Sequence, residues 1–278
     1  MDRRSFVKIA VGAGAGAVLA GTAAAFTKPA LIPRDAGTGN VRYYGAHRIG
    51  GPAPRGVPLI PITIGDDGVF RGLPSFEDPD GNAVNALDWY KYCQHQSAAG
   101  LDPAFKSDNT LTYFAAEDKL KNAEVLSNMW FRDLLGQPVN ISHFTEDYQG
   151  AAFLWRSEGQ SGTSLLTGAI IRYPKDTIHF PQSDLKSPAK AIKEGHDAIK
   201  DSIMVTRGNS TFVGVSLFCT HFCCAPGWRE AEKQAKAKDA WEMLFCTCHL
   251  SIYDVRSIVY YDYVPELAVK PKWPDTPE

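Results

Sequence analysis

Five of the six cysteines fall between Cys219 and Cys248, in two short segments that each also carry a histidine. Residues 211–218, rich in β-branched and aromatic side chains, lead straight into Cys219-Thr220-His221-Phe222-Cys223-Cys224. Residues 241–245 lead into Cys246-Thr247-Cys248-His249-Leu250-Ser251-Ile252-Tyr253-Asp254. Both leading runs read as strands, so each cysteine segment is expected as a loop at a strand end. One loop offers Cys-x-His and the other Cys-x-x-His, with spare cysteines beside them. Two thiolates and two imidazoles suit either a tetrahedral zinc or a two-iron cluster with mixed ligation. The Cys-x-His step is tighter than a zinc-finger clip, and no His-x3–5-His partner follows, so the spacing favours iron.

The two loops resemble the Rieske [2Fe–2S] pattern, Cys-Thr-His-x-Gly-Cys followed by Cys-Pro-Cys-His-Gly-Ser-x-Tyr. The wording around residues 219–227, with the N-terminus described below, looks most like archaeal membrane-anchored members of that family. The resemblance implies that Cys219 and Cys246 bind one iron, that His221 and His249 bind the other, and that Cys224 and Cys248 form a disulfide between the loops. Ser251 and Tyr253 match hydroxyls that hydrogen-bond to the cluster and to cysteine sulfur. Three departures stand out. Cys223 and Leu250 occupy the two glycine positions, and the 24 residues between His221 and Cys246 include a polar insert at 229–239 that reads as a solvated helix or loop.

Quinol-oxidising members of the family follow the second loop with Gly-Pro-Ala-Pro, a strip that covers the cluster. No such words follow Tyr253, but Gly51-Pro52-Ala53-Pro54 appears early in the chain. A circularly permuted arrangement, in which residues 41–70 supply the proline loop and the strand after it, is therefore expected. Proline fixes φ, so such a strip loses little entropy on folding.

The chain opens Met1-Asp2-Arg3-Arg4-Ser5-Phe6-Val7-Lys8 and then runs without a charge to Phe26. As a helix, residues 6–26 would measure about 31 Å, roughly one bilayer core. Paired arginines before such a run resemble a twin-arginine export signal. Ala23-Ala24-Ala25 offers a cleavage site, while Gly12 and Gly16 make a small-residue face; a retained single-pass anchor over 1–26 is the expectation, with the N-terminus cytoplasmic and the head outside. Residues 27–40 read as a tether.

For the body, the expected fold is mainly β: a Rieske antiparallel β-sandwich with a cluster-binding region at 206–264, a mixed helix and strand part with insertions at 73–205, and a C-terminal tail at 265–278. Strands are expected at 168–173 and 257–264, with a short edge strand at 57–63 because Pro58 and Pro61 interrupt it. Helical spacing suggests helices at 118–135 and 187–203. No internal repeat and no second membrane span is visible.

Several chemistries are set aside. With 29 basic against 31 acidic residues, no nucleic-acid footprint is expected. Cys93-Gln94-His95 repeats the Cys-x-His step without a Cys-x-x-His to complete it, and reads as a structural cysteine beside a surface histidine. His47, His143, His179 and His196 are isolated. No facial triad suggests a ring-hydroxylating oxygenase, and Gly12–Gly16 follows no strand, so it is no dinucleotide loop.

The family resemblance implies one [2Fe–2S] cluster that takes an electron from quinol in a cytochrome bc-type complex, with a cytochrome b subunit, a cytochrome or blue-copper acceptor and a dimeric assembly. His249 is expected to contact the quinol, with His221 beside it and with Phe222 and Leu250 as an apolar rim. A second reading is the small Rieske subunit of an exported oxidase such as arsenite oxidase.

Overall fold

The computed structural model describes residues 41–77, 83–92, 99–121, 129–161, 165–180, 203–229 and 235–263. The expected anchor, the tether, residues 187–202 of the helix expected at 187–203, the Cys93-Gln94-His95 step, His196 and the C-terminal tail lie outside them. Among the described residues no helix is long and apolar enough to cross a membrane.

The described chain is mainly β. Its strands are β1 (Val41–Gly50), β2 (Leu59–Ile60), β3 (Ile62–Ile64), β4 (Phe70–Gly72), β5 (Ser75–Glu77), β6 (Ala83–Asn85) and β7 (Thr112–Tyr113). They are followed by β8 (Gly150–Trp155), β9 (Leu166–Pro174), β10 (Met204–Arg207), β11 (Ser210–Ser216), β12 (Gly227–Trp228), β13 (Leu244–Cys246) and β14 (Ser251–Tyr263). One sheet runs β10-β11-β9-β8-β7, with β2 also on β11; another runs β1-β14-β13-β12; β3-β4 and β5-β6 are separate hairpins. All of these strand pairings are antiparallel.

Burial follows the residue pattern. Ala151, Phe153 and Trp155 alternate inward along β8, as expected for a strand with one covered face. All of β11 is buried, which its valines, Phe212 and small residues permit. Phe212 of β11 packs with Phe70 and Phe144, centroids 5.2–6.0 Å apart, edge-on in the two pairs that involve Phe144 and tilted between Phe70 and Phe212.

The two sheets bring the cysteine segments together. The first loop leaves β11 in one sheet and re-enters at β12 in the other. The second loop is a hairpin closed by the Cys246–Ser251 pair between β13 and β14. Gly227 pairs with Phe245, so the end of the first loop lies beside the start of the second. The segment 51–58 spans the same gap. It begins where Gly50 pairs with Ile252 and ends where Leu59 pairs with Val215.

Several expectations need correction. The strands at 168–173 and 211–218 appear as β9 and β11, and the Pro-interrupted run supplies two-residue β2 in the edge position beyond β10. The predicted helix over 118–135 is not seen among the described residues: helix α1 (Glu117–Leu120) has four residues, and 129–134 is turn and 3-10 helix. Its apolar residues recur at steps of up to five rather than a steady three to four. Trp130 and Phe131 instead pack against Tyr113 and Phe144 in an aromatic cluster. The middle region carries more strand than expected, from β5 to β10. The second cysteine strand starts only at Leu244, because Met243 N–H closes a turn onto Ala240, whereas the last strand is longer than expected and begins at Ser251.

Gly56 is where the strip passes β1. A Cβ there would collide with the Ala46 carbonyl oxygen and the Tyr261 hydroxyl, and Tyr43 Oη donates to the Gly56 carbonyl at 2.8 Å. Gly56→Ala is expected to destabilise the protein by about 1–3 kcal/mol, seen as a lower denaturant midpoint at unchanged slope. An unchanged midpoint would contradict this close approach.

Candidate metal centre

The two loops repeat one local geometry. Cys223 N–H bonds to the Cys219 carbonyl at 3.0 Å, and Leu250 N–H bonds to the Cys246 carbonyl at 2.8 Å. The residue closing each turn is left-handed, Cys223 at φ +59° and Leu250 at φ +62°. These are the two positions where the family pattern has glycine. A side chain there costs roughly 1–2 kcal/mol of backbone strain. The turn has a chemical consequence: backbone N–H groups of His221 and Phe222 point at the Cys219 sulfur, and those of Cys248 and His249 at the Cys246 sulfur.

Cys219 and Cys246 are the free thiols among the described residues, and both are buried. Their sulfurs hydrogen-bond to each other. Tyr253 Oη lies 3.0 Å from the Cys219 sulfur. Burial first, and then the neighbouring sulfur, push the Tyr253 phenol well above its ordinary range, so it keeps its proton and donates. The Cys219 thiol is pulled down to about 5, chiefly by the hydrogen bond from Cys246, with Tyr253 and the two backbone N–H groups adding to it against the effect of burial. Cys246 is pushed up by the same shared proton and by burial. A cation placed between the sulfurs would take over the role of that proton.

The imidazoles sit alongside. The rings of His221 and His249 lie 4.7 Å apart, nearly perpendicular. His221 Nδ1 is buried with no hydrogen-bond partner among the described residues. Burial first, then His249, lower the His221 pKa and favour the neutral ring with a free lone pair. A buried, neutral, unpartnered nitrogen is rare in a folded protein and suits a metal ligand. Free thiols, neutral imidazole and a fence of N–H donors fit an iron–sulfur centre with mixed ligation.

Beside this set, Cys224 and Cys248 form a disulfide with Cα atoms 6.5 Å apart, the pairing that the family resemblance implies. The sulfurs of Cys224, Cys246 and Cys248 lie within 4.8 Å of one another. Two of them are consumed in the disulfide, so only Cys246 of that group is available to a metal. Cys223 is also disulfide-bonded.

The Gly-Pro-Ala-Pro strip lies against the loops. At Gly51, φ +79°, a Cβ would come within 2.5 Å of the Leu250 carbonyl oxygen and of Ser251 Cα, so only glycine passes there. Ala53 N–H donates to Ser251 Oγ at 3.2 Å, which leaves the Ser251 hydroxyl hydrogen for another acceptor. Thr220 Oγ1 donates to the Arg55 carbonyl at 2.6 Å. Sequence reasoning did not single out Thr220 as the residue that fastens the strip to the first loop; its place between Cys219 and His221 is the signal that pointed to it.

The tip is apolar and open. Phe222 is 57% exposed and Leu250 42%, His249 is exposed, and the Phe222 ring packs on His221 and His249 at 4.2 and 5.4 Å. The other histidines among the described residues make local contacts. His143 Nδ1 pairs with Tyr113 Oη at 3.1 Å, His179 Nε2 pairs with Ser257 Oγ at 2.6 Å, and His47 stands opposite Asp254 in the β1–β14 ladder. Compared with protein-family models, curated proteins and solved structures, the chain gave no match.

The disulfide closes a loop of sequence separation 24, worth about 3–4 kcal/mol by chain entropy. The double variant Cys224→Ser, Cys248→Ser is expected to lose that amount in chemical denaturation. An unchanged midpoint would show that the loops are held together without it.

Proposed function

We propose that this protein is a Rieske-type electron carrier, with Cys219 and Cys246 on one iron of a [2Fe–2S] cluster and His221 and His249 on the other. The observation that carries the reading is the buried, unpartnered His221 Nδ1 beside a second imidazole and two free, N–H-fenced thiols. When bound, such a cluster supplies a one-electron centre, and replacing two thiolates by neutral imidazoles raises its potential.

This chain's own residues do the rest. Tyr253 Oη, with the N–H groups of His221, Phe222, Cys248 and His249, stabilises added negative charge on sulfur. Phe222 and Leu250 put apolar surface around His249 at the tip, and the strip lies against the second loop. His249, exposed at that tip, accepts a hydrogen bond from a quinol on its outer ring nitrogen and takes the proton as the electron leaves. Phe222 and Leu250 form the rim of the quinol pocket against a cytochrome b-type subunit, and a cytochrome or blue-copper protein receives the electron. The strip at 51–54 acts as a proline loop supplied from the N-terminal side, a circularly permuted arrangement, which its contacts with Ser251 and Thr220 support. The remainder of the reading comes from the sequence: an N-terminal anchor at the cell membrane, and a head outside it.

Purified protein should carry two iron atoms and two acid-labile sulfides per chain. Zinc in their place would overturn the reading. Tyr253→Phe and Ser251→Ala should retain the cluster and lower its midpoint potential by tens of millivolts, since about 59 mV in a one-electron couple corresponds to a tenfold shift in equilibrium. A midpoint unchanged in redox titration would remove both hydroxyls from the assignment.

A further inference from the structure

The tip carries a pattern of apolar surface and charge that the cluster reading does not use. Ile49 is 47% exposed, one residue before Gly50 pairs with Ile252 and two before Gly51 passes against Leu250. Three of the four large hydrophobic side chains exposed among the described residues, Ile49, Phe222 and Leu250, are therefore at this one end, beside His249. Such clustering marks a contact surface rather than scattered exposure. The charge there has one sign. Segments 41–58, 217–228 and 244–253 hold three arginines and no aspartate or glutamate, in a chain with 31 acidic residues. Arg48 Nη1 donates to the Gly51 carbonyl at 3.1 Å, which sets the guanidinium on the strip near the point where Leu250 meets it. Away from the tip, Arg71, Arg172, Arg229 and Arg256 each have a carboxylate oxygen at 2.7–3.3 Å. Arg48 has none among the described residues.

We propose that the tip docks an electron-accepting protein whose contact patch is apolar at its centre and rimmed with carboxylates, one of which pairs with Arg48. The proposal rests on the cluster reading, because it names the partner that the same centre would reduce. An apolar core with arginine at its rim is the composition of a specific protein contact, and opposite charge across it steers the encounter. A second copy of this chain does not suit the patch. Tip against tip would set Arg48 beside Arg48, with no carboxylate in any of the three segments. The Arg48 side chain holds the strip through one carbonyl, so its charge can be changed without removing a ligand.

The test mixes the reduced full-length protein, in neutral detergent, with oxidised plastocyanin, an acidic blue-copper protein, in stopped flow. One electron leaves the protein and copper(II) becomes copper(I). The second-order rate should fall as salt rises from about 10 mM to about 0.5 M, because screening shortens the reach of the charge. Arg48→Glu should lower the low-salt rate about tenfold and leave the high-salt rate within about twofold. Arg48→Gln should give a smaller loss in the same direction. Arg207→Glu makes the same change in net charge at the far end of β11 from Cys219 and should leave the rate unchanged. Plastocyanin binding to the oxidised protein, followed by surface plasmon resonance, should weaken in the Arg48 variants alone. A rate indifferent to salt and to Arg48→Glu, or an equal loss in Arg207→Glu, would overturn the proposal. So would Arg48-dependent binding to phosphatidylglycerol vesicles with no effect on plastocyanin. Iron and sulfide are measured in every variant: their absence counts against the cluster reading, whereas full content with the wrong salt response counts against the docking surface.

Discussion

The contact between the Cys219 and Cys246 sulfurs is the interaction on which the site depends. Cys219 lies three residues beyond the end of β11 and Cys246 ends β13, in a different sheet, so no local sequence keeps their side chains together. Two buried thiols in contact are held there by longer-range structure: the Gly227–Phe245 pair, the Cys224–Cys248 disulfide, and the 51–58 segment that runs from beside Ser251 to beside β11.

The electrostatics follow from that convergence. Burial alone would raise a thiol pKa and leave both cysteines neutral. The paired turns oppose it by aiming two N–H groups at each sulfur, and Tyr253 adds a hydroxyl to Cys219. The left-handed backbone at Cys223 and Leu250 is the cost of those turns. On the histidine side burial acts in the useful direction, because it keeps His221 neutral and its lone pair free. The adjacent loops thus stabilise negative sulfur at Cys219 and a neutral ring at His221, the kinds of donor that a mixed-ligand iron–sulfur centre would use.

Much of this was legible in the residues, and the reason is physical. Ligand spacing within a loop is set by a few bonds, so Cys219-x-His221 and Cys246-x-x-His249 can be read locally, and β-branched runs such as 211–218 have one dominant fate. The strip was recognisable by its glycine and prolines, but its position at the site depends on β1 pairing with β14 across some two hundred residues, for which no local signal exists. Leu250 was visible as a departure from the pattern; that it keeps the glycine-like backbone could be seen only once the Cys246 turn was built. Of the helix expected over 118–135, the described end at 129–134 is turn and 3-10 helix, where Trp130 and Phe131 join an aromatic cluster with Tyr113 and Phe144 that periodicity alone does not show. The place of Thr220 between Cys219 and His221 marks it as a loop residue, but its partner, the backbone carbonyl of residue 55, leaves no trace in side-chain patterns.

The central claim is that two histidine nitrogens and two cysteine sulfurs from these loops share one iron–sulfur centre. Pulsed electron paramagnetic resonance of the reduced protein, grown with 15N-labelled histidine, tests it most directly. Two strongly coupled nitrogens, with one lost in each of the variants His221→Cys and His249→Cys, are the predicted result. A reduced centre with no strong 15N coupling, or a protein with no paramagnetic signal at all, would contradict it.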